Sequence, residues 1–268
     1  MSGEILRAPN VDLLQQAAAA LFAAVAADAI SARGVFTVAL SGGTTPRGVY
    51  SRLADDEGLR TQVRWEHVRF FWGDERHVPP DHPDSNFHMA YESMLGRLPI
   101  NPGHVWRMKG EYESAALAAE EYSGDLRRAF RTMGPDREAE AGSPVPSESQ
   151  LPRFDLVLLG MGADGHTASL FPGTEALHER TRWAVATRAA AVNTDRITLT
   201  PPVLNNAAEV LFLVSGDDKA GALQSVIEGA YDPDRLPAQL IRPARGRLRW
   251  LVDADASRLL AGAAIVDV

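Results

Sequence analysis

Apolar residues in this chain gather into short unbroken runs, each closed by glycine, and the stretches between them repeat at helical spacing. Residues 35–40 form one run, ending in Ser41, Gly42 and Gly43, and residues 68–72 form a second, ending in Gly73 and Asp74. Residues 154–159 lead into Gly160, and residues 210–214 lead into Ser215, Gly216 and Asp217. A run that is apolar at every position and rich in Val, Phe and Leu fits a strand buried on both faces. Helices are predicted around 46–54, 85–95, 115–131 and 217–228. An earlier helix over 13–30 would pack Leu14, Ala18, Leu21, Val25 and Ala29 and stop near Gly34. This alternation predicts an α/β fold with a doubly wound, mainly parallel sheet and helices on both faces. Ligands in such sheets bind beyond the carboxyl ends of the strands, where all four glycine loops stand. From residue 231 onward the pattern predicts a loop, a strand near 248–252 and a short helix. Residues 132–152, rich in Pro, Glu, Ser and Gly, read as a flexible solvent loop inside one domain spanning 1–268, because a boundary there would separate strands that share a sheet.

Composition narrows the partners. A net charge of −8 argues against nucleic acid or an anionic membrane, and an anionic ligand must then meet a local cluster of positive charge. The absence of cysteine excludes disulfides, a thiol nucleophile and thiolate metal ligands, and it agrees with a reducing cytoplasm. The N-terminus lacks the basic and apolar regions of a secretory signal. No apolar run approaches the roughly 18 residues of a membrane span; residues 13–30 come closest and are interrupted by Gln15, Gln16 and Asp28.

The chemistry concentrates in the loops. In residues 160–172 (GMGADGHTASLFP), His166 follows a glycine turn directly, and three readings compete. Gly160, Gly162 and Gly165 satisfy the G-x-G-x-x-G dinucleotide spacing. A true fingerprint, however, opens a helix and has an acidic residue about 20 positions on. Pro172 and Gly173 cut a helix short here, and residues 182–191 hold no Asp or Glu. The second reading is a steric turn with His166 satisfied locally. The third makes His166 a general base, a role suited to a side chain whose ordinary pKa is about 6.5.

The first loop, SGGTTP, sets Ser41, Gly42, Gly43, Thr44 and Thr45 at a helix start, with Thr45 as expected N-cap and Pro46 as first helical residue. Free N–H groups and a positive helix end suit a phosphate. An ordinary capped turn is the plain alternative, and the missing Lys of G-x-x-x-x-G-K-[ST] argues against a nucleotide P-loop. The second loop, residues 73–86, crowds Asp74, Glu75, Arg76, His77, Asp81, His82 and Asp84 onto a backbone stiffened by Pro79, Pro80 and Pro83. Metal binding is a rival reading there, but the spacing matches no zinc pattern and H-E-x-x-H is absent. Ser85 reads as the N-cap of the following helix. Arg196, opening RITLT, and Lys219, in SGDDKA, would bring the positive charge an anion needs, although either alone reads as a surface charge.

Together, LSGGTTP, WGDERHVPPDHPDSN, FDLVLLGMGADGHTASLFPG, DRITLT and FLVSGDDKA resemble the glucosamine-6-phosphate isomerase/6-phosphogluconolactonase family over residues 35–228. The resemblance implies a glucosamine-6-phosphate deaminase-like fold, no cofactor, no metal, a small phosphosugar lactone as partner, and a monomer or small homo-oligomer. Deaminases of this kind resemble the chain at SGG, at Asp74 and Glu75, at DGH and around Lys219. After the shared Gly-His they typically reach Asn-Glu-Pro, whereas this chain runs Thr167, Ala168, Ser169, Leu170, Phe171, Pro172. The missing carboxylate favours hydrolysis of 6-phosphoglucono-1,5-lactone over deamination. A lactone is an activated ester that needs a positioned water, a base and oxyanion donors, but no covalent nucleophile, consistent with the absence of cysteine and of a G-x-S-x-G elbow. The resemblance then implies His166 as base, with Asp164 or Asp74 orienting it. Backbone N–H groups of the SGG loop, with Arg76, would meet the oxyanion. Ser41 to Thr45, Arg196 and Lys219 would meet the 6-phosphate, with Arg76 as an alternative there. Ser169 as nucleophile is a lesser alternative, as is a sensor that keeps the pocket without the chemistry.

Overall fold

Phe70 and Phe71 are consecutive on one strand, so their side chains point to opposite faces of the sheet, and each face has its own helix. The computed structural model describes residues 3–133, 151–188 and 194–268. The first half contains β1 (Glu4–Ala8), α1 (Val11–Arg33), β2 (Phe36–Leu40), α2 (Thr44–Asp55), α3 (Glu57–Gln62), β3 (Val68–Trp72), β4 (Asp74–Arg76), α4 (Asn86–Ser93) and α5 (Ala115–Met133). The second contains β5 (Leu156–Leu159), β6 (Ala184–Thr187), β7 (Arg196–Leu199), α6 (Pro201–Asn205), β8 (Glu209–Val214), α7 (Ala220–Glu228), β9 (Arg247–Asp253), α8 (Ala254–Ser257) and β10 (Ile265–Asp267).

Seven of these strands form one sheet in the order β10-β1-β9-β8-β5-β2-β3, and every neighbouring pair is parallel. On one face α1 sets Phe22 edge-on to Phe36 at 5.3 Å, and Trp65 stacks between Phe22 and Phe70. On the other, Phe130 of α5 meets Phe71 at 5.5 Å and Phe154 at 5.0 Å. The predicted parallel sheet covered on both faces is therefore present.

Several expectations are corrected. The helix α1 extends over Val11–Arg33, capped by Asn10, whose side chain accepts the Leu13 N–H, and closed by Gly34 at φ +74°. Its buried seam runs through Leu14, Ala18, Phe22, Ala26 and Ile30, while Leu21 and Val25 are only partly covered. The bulky Phe22 takes the middle of the seam, its ring edge-on to Phe36. By length and apolar content α1 would suffice to cross a bilayer, against the expectation that no run comes close. In the fold it packs on α2, α3, β1, β2 and β9. Neither β1 nor β10 was expected, since EILRA carries charges among its apolar residues and IVD is short. Thr132 and Met133 close α5 rather than open a loop; residues 134–150 of the expected loop lie outside the described residues.

A second sheet, antiparallel in the order β4-β7-β6, stands beyond the end of β3. It turns the first three charged residues of that loop, Asp74, Glu75 and Arg76, into a strand paired with Thr198, Ile197 and Arg196. The fold thereby presents a second ladder at the carboxyl edge of the first.

Candidate active site

Strands β8, β5, β2 and β3 are consecutive and parallel in the sheet, so the four glycine loops that follow them lie side by side. Side-chain contacts join them in a chain. Thr45 Oγ1, after β2, lies 2.7 Å from Ser215 Oγ, after β8. Asn86, at the start of α4, fits against Gly42 so closely that a Cβ there would fall 1.8 Å from its Oδ1. Asn86 Nδ2 donates to the Asp74 carbonyl at 2.9 Å and to Asp74 Oδ1 at 3.4 Å. Asp74 Oδ2 accepts from Ser169 Oγ at 2.6 Å, and Ser169 lies in the loop that carries His166.

In the first loop α2 begins at Thr44, with Gly43 at the N-cap position (φ +107°) and no side-chain cap. Thr45 is therefore not the N-cap, and Pro46 is the third helical residue. The left-handed glycine bends the chain into the helix earlier, and the Thr45 hydroxyl turns to Ser215 instead. The first N–H groups of a helix have no intrahelical acceptor, so this end keeps donors for an anion. Tyr50 of α2 braces the loop from behind: its hydroxyl donates to the Ser41 carbonyl at 2.9 Å and accepts the Ser41 N–H at 3.0 Å, and burial pushes its phenol pKa up.

The charged loop is organised around Glu75, which is 2% exposed. Its Oε1 accepts the N–H groups of Arg76 (2.9 Å) and Asn86 (2.6 Å), and its Oε2 accepts the Phe87 N–H (2.8 Å) and the Ser85 hydroxyl (3.0 Å). Burial pushes the Glu75 carboxyl up to about 7, against the pull of those four donors. Ser85 caps α4 as expected, accepting the His88 N–H at 3.1 Å. Arg76 stands directly opposite Arg196 across the β4–β7 ladder. Arg76 donates to the Asp84 carbonyl at 2.6 Å and Arg196 to the Thr194 carbonyl at 3.2 Å, and neither has a salt-bridge partner among the described residues. Burial, and then the neighbouring Arg76, holds Arg196 below its ordinary value. Lys219 closes a short turn before α7 with its ammonium 2.9 Å from Asp218. In the same loop region His77 Nε2 lies 2.8 Å from the Tyr112 carbonyl, and His82 Nδ1 accepts the Asp84 N–H. Among the described residues no three His, Asp or Glu side chains converge as metal ligands.

His166 is half-buried, its Nδ1 2.6 Å from Asp164 Oδ1, which also accepts the His166 N–H at 3.1 Å. Its ring lies 4.7 Å from that of Phe171. Partial burial would raise the Asp164 carboxyl, but the hydrogen bonds from the His166 ring and backbone outweigh it and hold the pKa below the ordinary range. An ionised carboxylate at Nδ1 selects the Nδ1–H tautomer and leaves the Nε2 lone pair free. Of the two carboxylates the sequence left open, Asp164 is the one on the imidazole; Asp74 lies on Ser169 and Asn86. Residues 160–173 contain no helix, which removes the dinucleotide reading along with any helical relation between His166 and Ser169. Ser169 is 1% exposed, with its hydroxyl donating to Asp74. Tyr50, Asn86 and Thr198, whose Oγ1 accepts the Ser169 N–H at 3.3 Å, escaped the sequence reading because nothing in their spacing marks them.

Parallel strand ends carrying an uncapped helix start, two opposed arginines and a carboxylate-held histidine define a class of α/β protein whose polar groups gather in the loops at the carboxyl ends of its strands. The chain belongs to the family described as glucosamine-6-phosphate isomerases/6-phosphogluconolactonase, which matches residues 9–250. It is 40% identical over 236 residues to the 6-phosphogluconolactonase of Synechocystis sp., covering 87% of this chain and 88% of that one. The structure of 6-phosphogluconolactonase from Trypanosoma cruzi is similar with a TM-score of 0.80 at 26% identity, over 97% of this chain and 98% of that one. A monomeric glucosamine-6-phosphate deaminase shares the fold, with a TM-score of 0.74 at 20% identity over 96% of this chain and 100% of that one.

Proposed function

We propose that the chain, acting as one domain over residues 1–268, hydrolyses 6-phospho-D-glucono-1,5-lactone to 6-phospho-D-gluconate in the oxidative pentose phosphate pathway, in a reducing cytoplasm. The observation that carries this reading is the Asp164–His166 pair, in a loop that continues Thr167, Ala168, Ser169 without a second carboxylate. Similarity to 6-phosphogluconolactonases over most of the chain supports it.

His166 Nε2 takes a proton from a water, and the hydroxide forms a bond to the lactone C1. The tetrahedral oxyanion is met by N–H groups of the SGG loop and by Arg76. Collapse breaks the bond between C1 and the ring oxygen, and His166 returns its proton to that oxygen. Asp164 stays ionised and holds the imidazole through the cycle. The 6-phosphate is met by the start of α2, by Arg196 and by Lys219. Arg196, with no salt bridge among the described residues and a side chain that donates only to the Thr194 carbonyl, suits the phosphate, since a guanidinium fork matches its oxygens.

The test is the rate of 6-phosphogluconate formation from fresh lactone, read beside ammonia release from glucosamine 6-phosphate. Acceleration of the first over the spontaneous rate, with no ammonia, is expected. Ammonia release with lactone hydrolysis at the spontaneous rate would replace this reading with a deaminase.

A further inference from the structure

The Asp164–His166 bond spans a single intervening residue, Gly165, so the backbone of Gly165 sets the relation between carboxylate and imidazole. That backbone is left-handed, at φ +78°, and Ala168 is also left-handed at φ +48°. A non-glycine residue in that region costs about 1 kcal/mol or more and persists where surrounding contacts over-determine it. Within the loop, the Gly162 N–H donates to the His166 carbonyl at 2.9 Å and the Gly165 N–H to the Gly162 carbonyl at 3.0 Å.

Further contacts to Gly165 come from residues 232–239, between α7 and β9. Ala238 N–H donates to the Gly165 carbonyl at 2.9 Å, and Gly173 N–H donates to the Asp234 carbonyl at 3.0 Å, so the loop is held just before His166 and at its far end. Leu236 fills the space beside Gly165, where a Cβ would fall 2.7 Å from Leu236 Cδ2. This segment is itself anchored by buried Gln239, whose Oε1 accepts the Asp232 N–H at 2.7 Å and whose Nε2 donates to the carbonyls of Ser225 and Ala230, at 3.2 and 3.0 Å.

We infer that Leu236 is a positioning residue: with the Ala238 N–H, it holds Gly165 so that Asp164 and His166 stay in the geometry that leaves Nε2 as the base. The inference rests on the lactonase reading above. The full-length wild type, Leu236→Ala and Leu236→Met are compared by steady-state kinetics, 6-phosphogluconate binding and imidazole 15N shifts. Leu236→Ala is expected to bind 6-phosphogluconate within about 2-fold of wild type while kcat falls on the order of 10-fold, the scale of a small misplacement of a catalytic group. Its His166 shifts should lose the single Nδ1–H tautomer, and Leu236→Met, which keeps the volume, should restore both. A folded Leu236→Ala with wild-type kcat and unchanged imidazole shifts would overturn the inference. If Leu236→Ala fails to fold, Leu236→Val is read by the same criteria. A wild type that hydrolyses no lactone would instead sink the functional reading, while the imidazole shifts still decide the role of Leu236.

Discussion

Glu75 stands between opposing pressures: burial favours its acid form, and three backbone N–H groups with one hydroxyl favour its carboxylate. Burial wins, and a carboxyl 13C titration of Glu75 should give a pKa near 7 rather than the ordinary 4.5. A value at or below the ordinary one would show that the donors prevail. The folded state then holds a proton that the unfolded chain has released between 4.5 and about 7. Its contribution to stability is full below the unfolded value and is lost as pH rises through the folded one. Replacing Glu75 with Gln removes the titration, so the pH dependence of Tm should flatten over that window. Gly162 carries a different constraint, since a Cβ there would fall 2.1 Å from His166 Nδ1. Gly162→Ala should push the imidazole off Asp164 and lower kcat on the order of 10²-fold, with 6-phosphogluconate binding little changed. Loss of binding in equal measure would mean that the loop had collapsed instead.

The β4–β7 ladder places Arg76 opposite Arg196, an arrangement that costs a few tenths to about 1 kcal/mol when like charges face each other. Arg196→Gln should therefore leave Tm unchanged or raise it, while KM for the lactone rises at least about 10-fold from loss of a charge-assisted phosphate contact. Thermal melts with and without 6-phosphogluconate check both halves; a variant with lower Tm and unchanged KM would make Arg196 structural. This ladder also shows where sequence reading stops. The strands β2, β3, β5 and β8 were legible because each is apolar at nearly every position, as only strands buried on both faces are. RITL is strand-like on its own, but DER is not, and their pairing joins residues far apart in sequence that no local pattern encodes. Short edge strands such as β10 give no periodicity to read, and the start of α2 shifted because a glycine at positive φ outranked a threonine as its cap.

Taken as one object, the fold assembles its chemistry by bringing loops from distant parts of the chain to one end of a parallel sheet. The candidate residues were recognisable one motif at a time. Their connections were not, because the links from Thr45 to Ser215, Asn86 to Asp74 and Asp74 to Ser169 all cross between motifs. The segment after α7, which carries no motif, is legible only through its contacts with Gly165 and Gly173. Everything proposed for the reaction depends on the free Nε2 of His166. The decisive comparison is the initial rate of 6-phosphogluconate formation by wild type and by His166→Ala, each corrected for spontaneous hydrolysis. The variant should stay folded, bind 6-phosphogluconate and lose roughly 10² to 10⁴ in kcat, the usual contribution of a general base. A His166→Ala protein that turns over lactone at the wild-type rate would contradict the account.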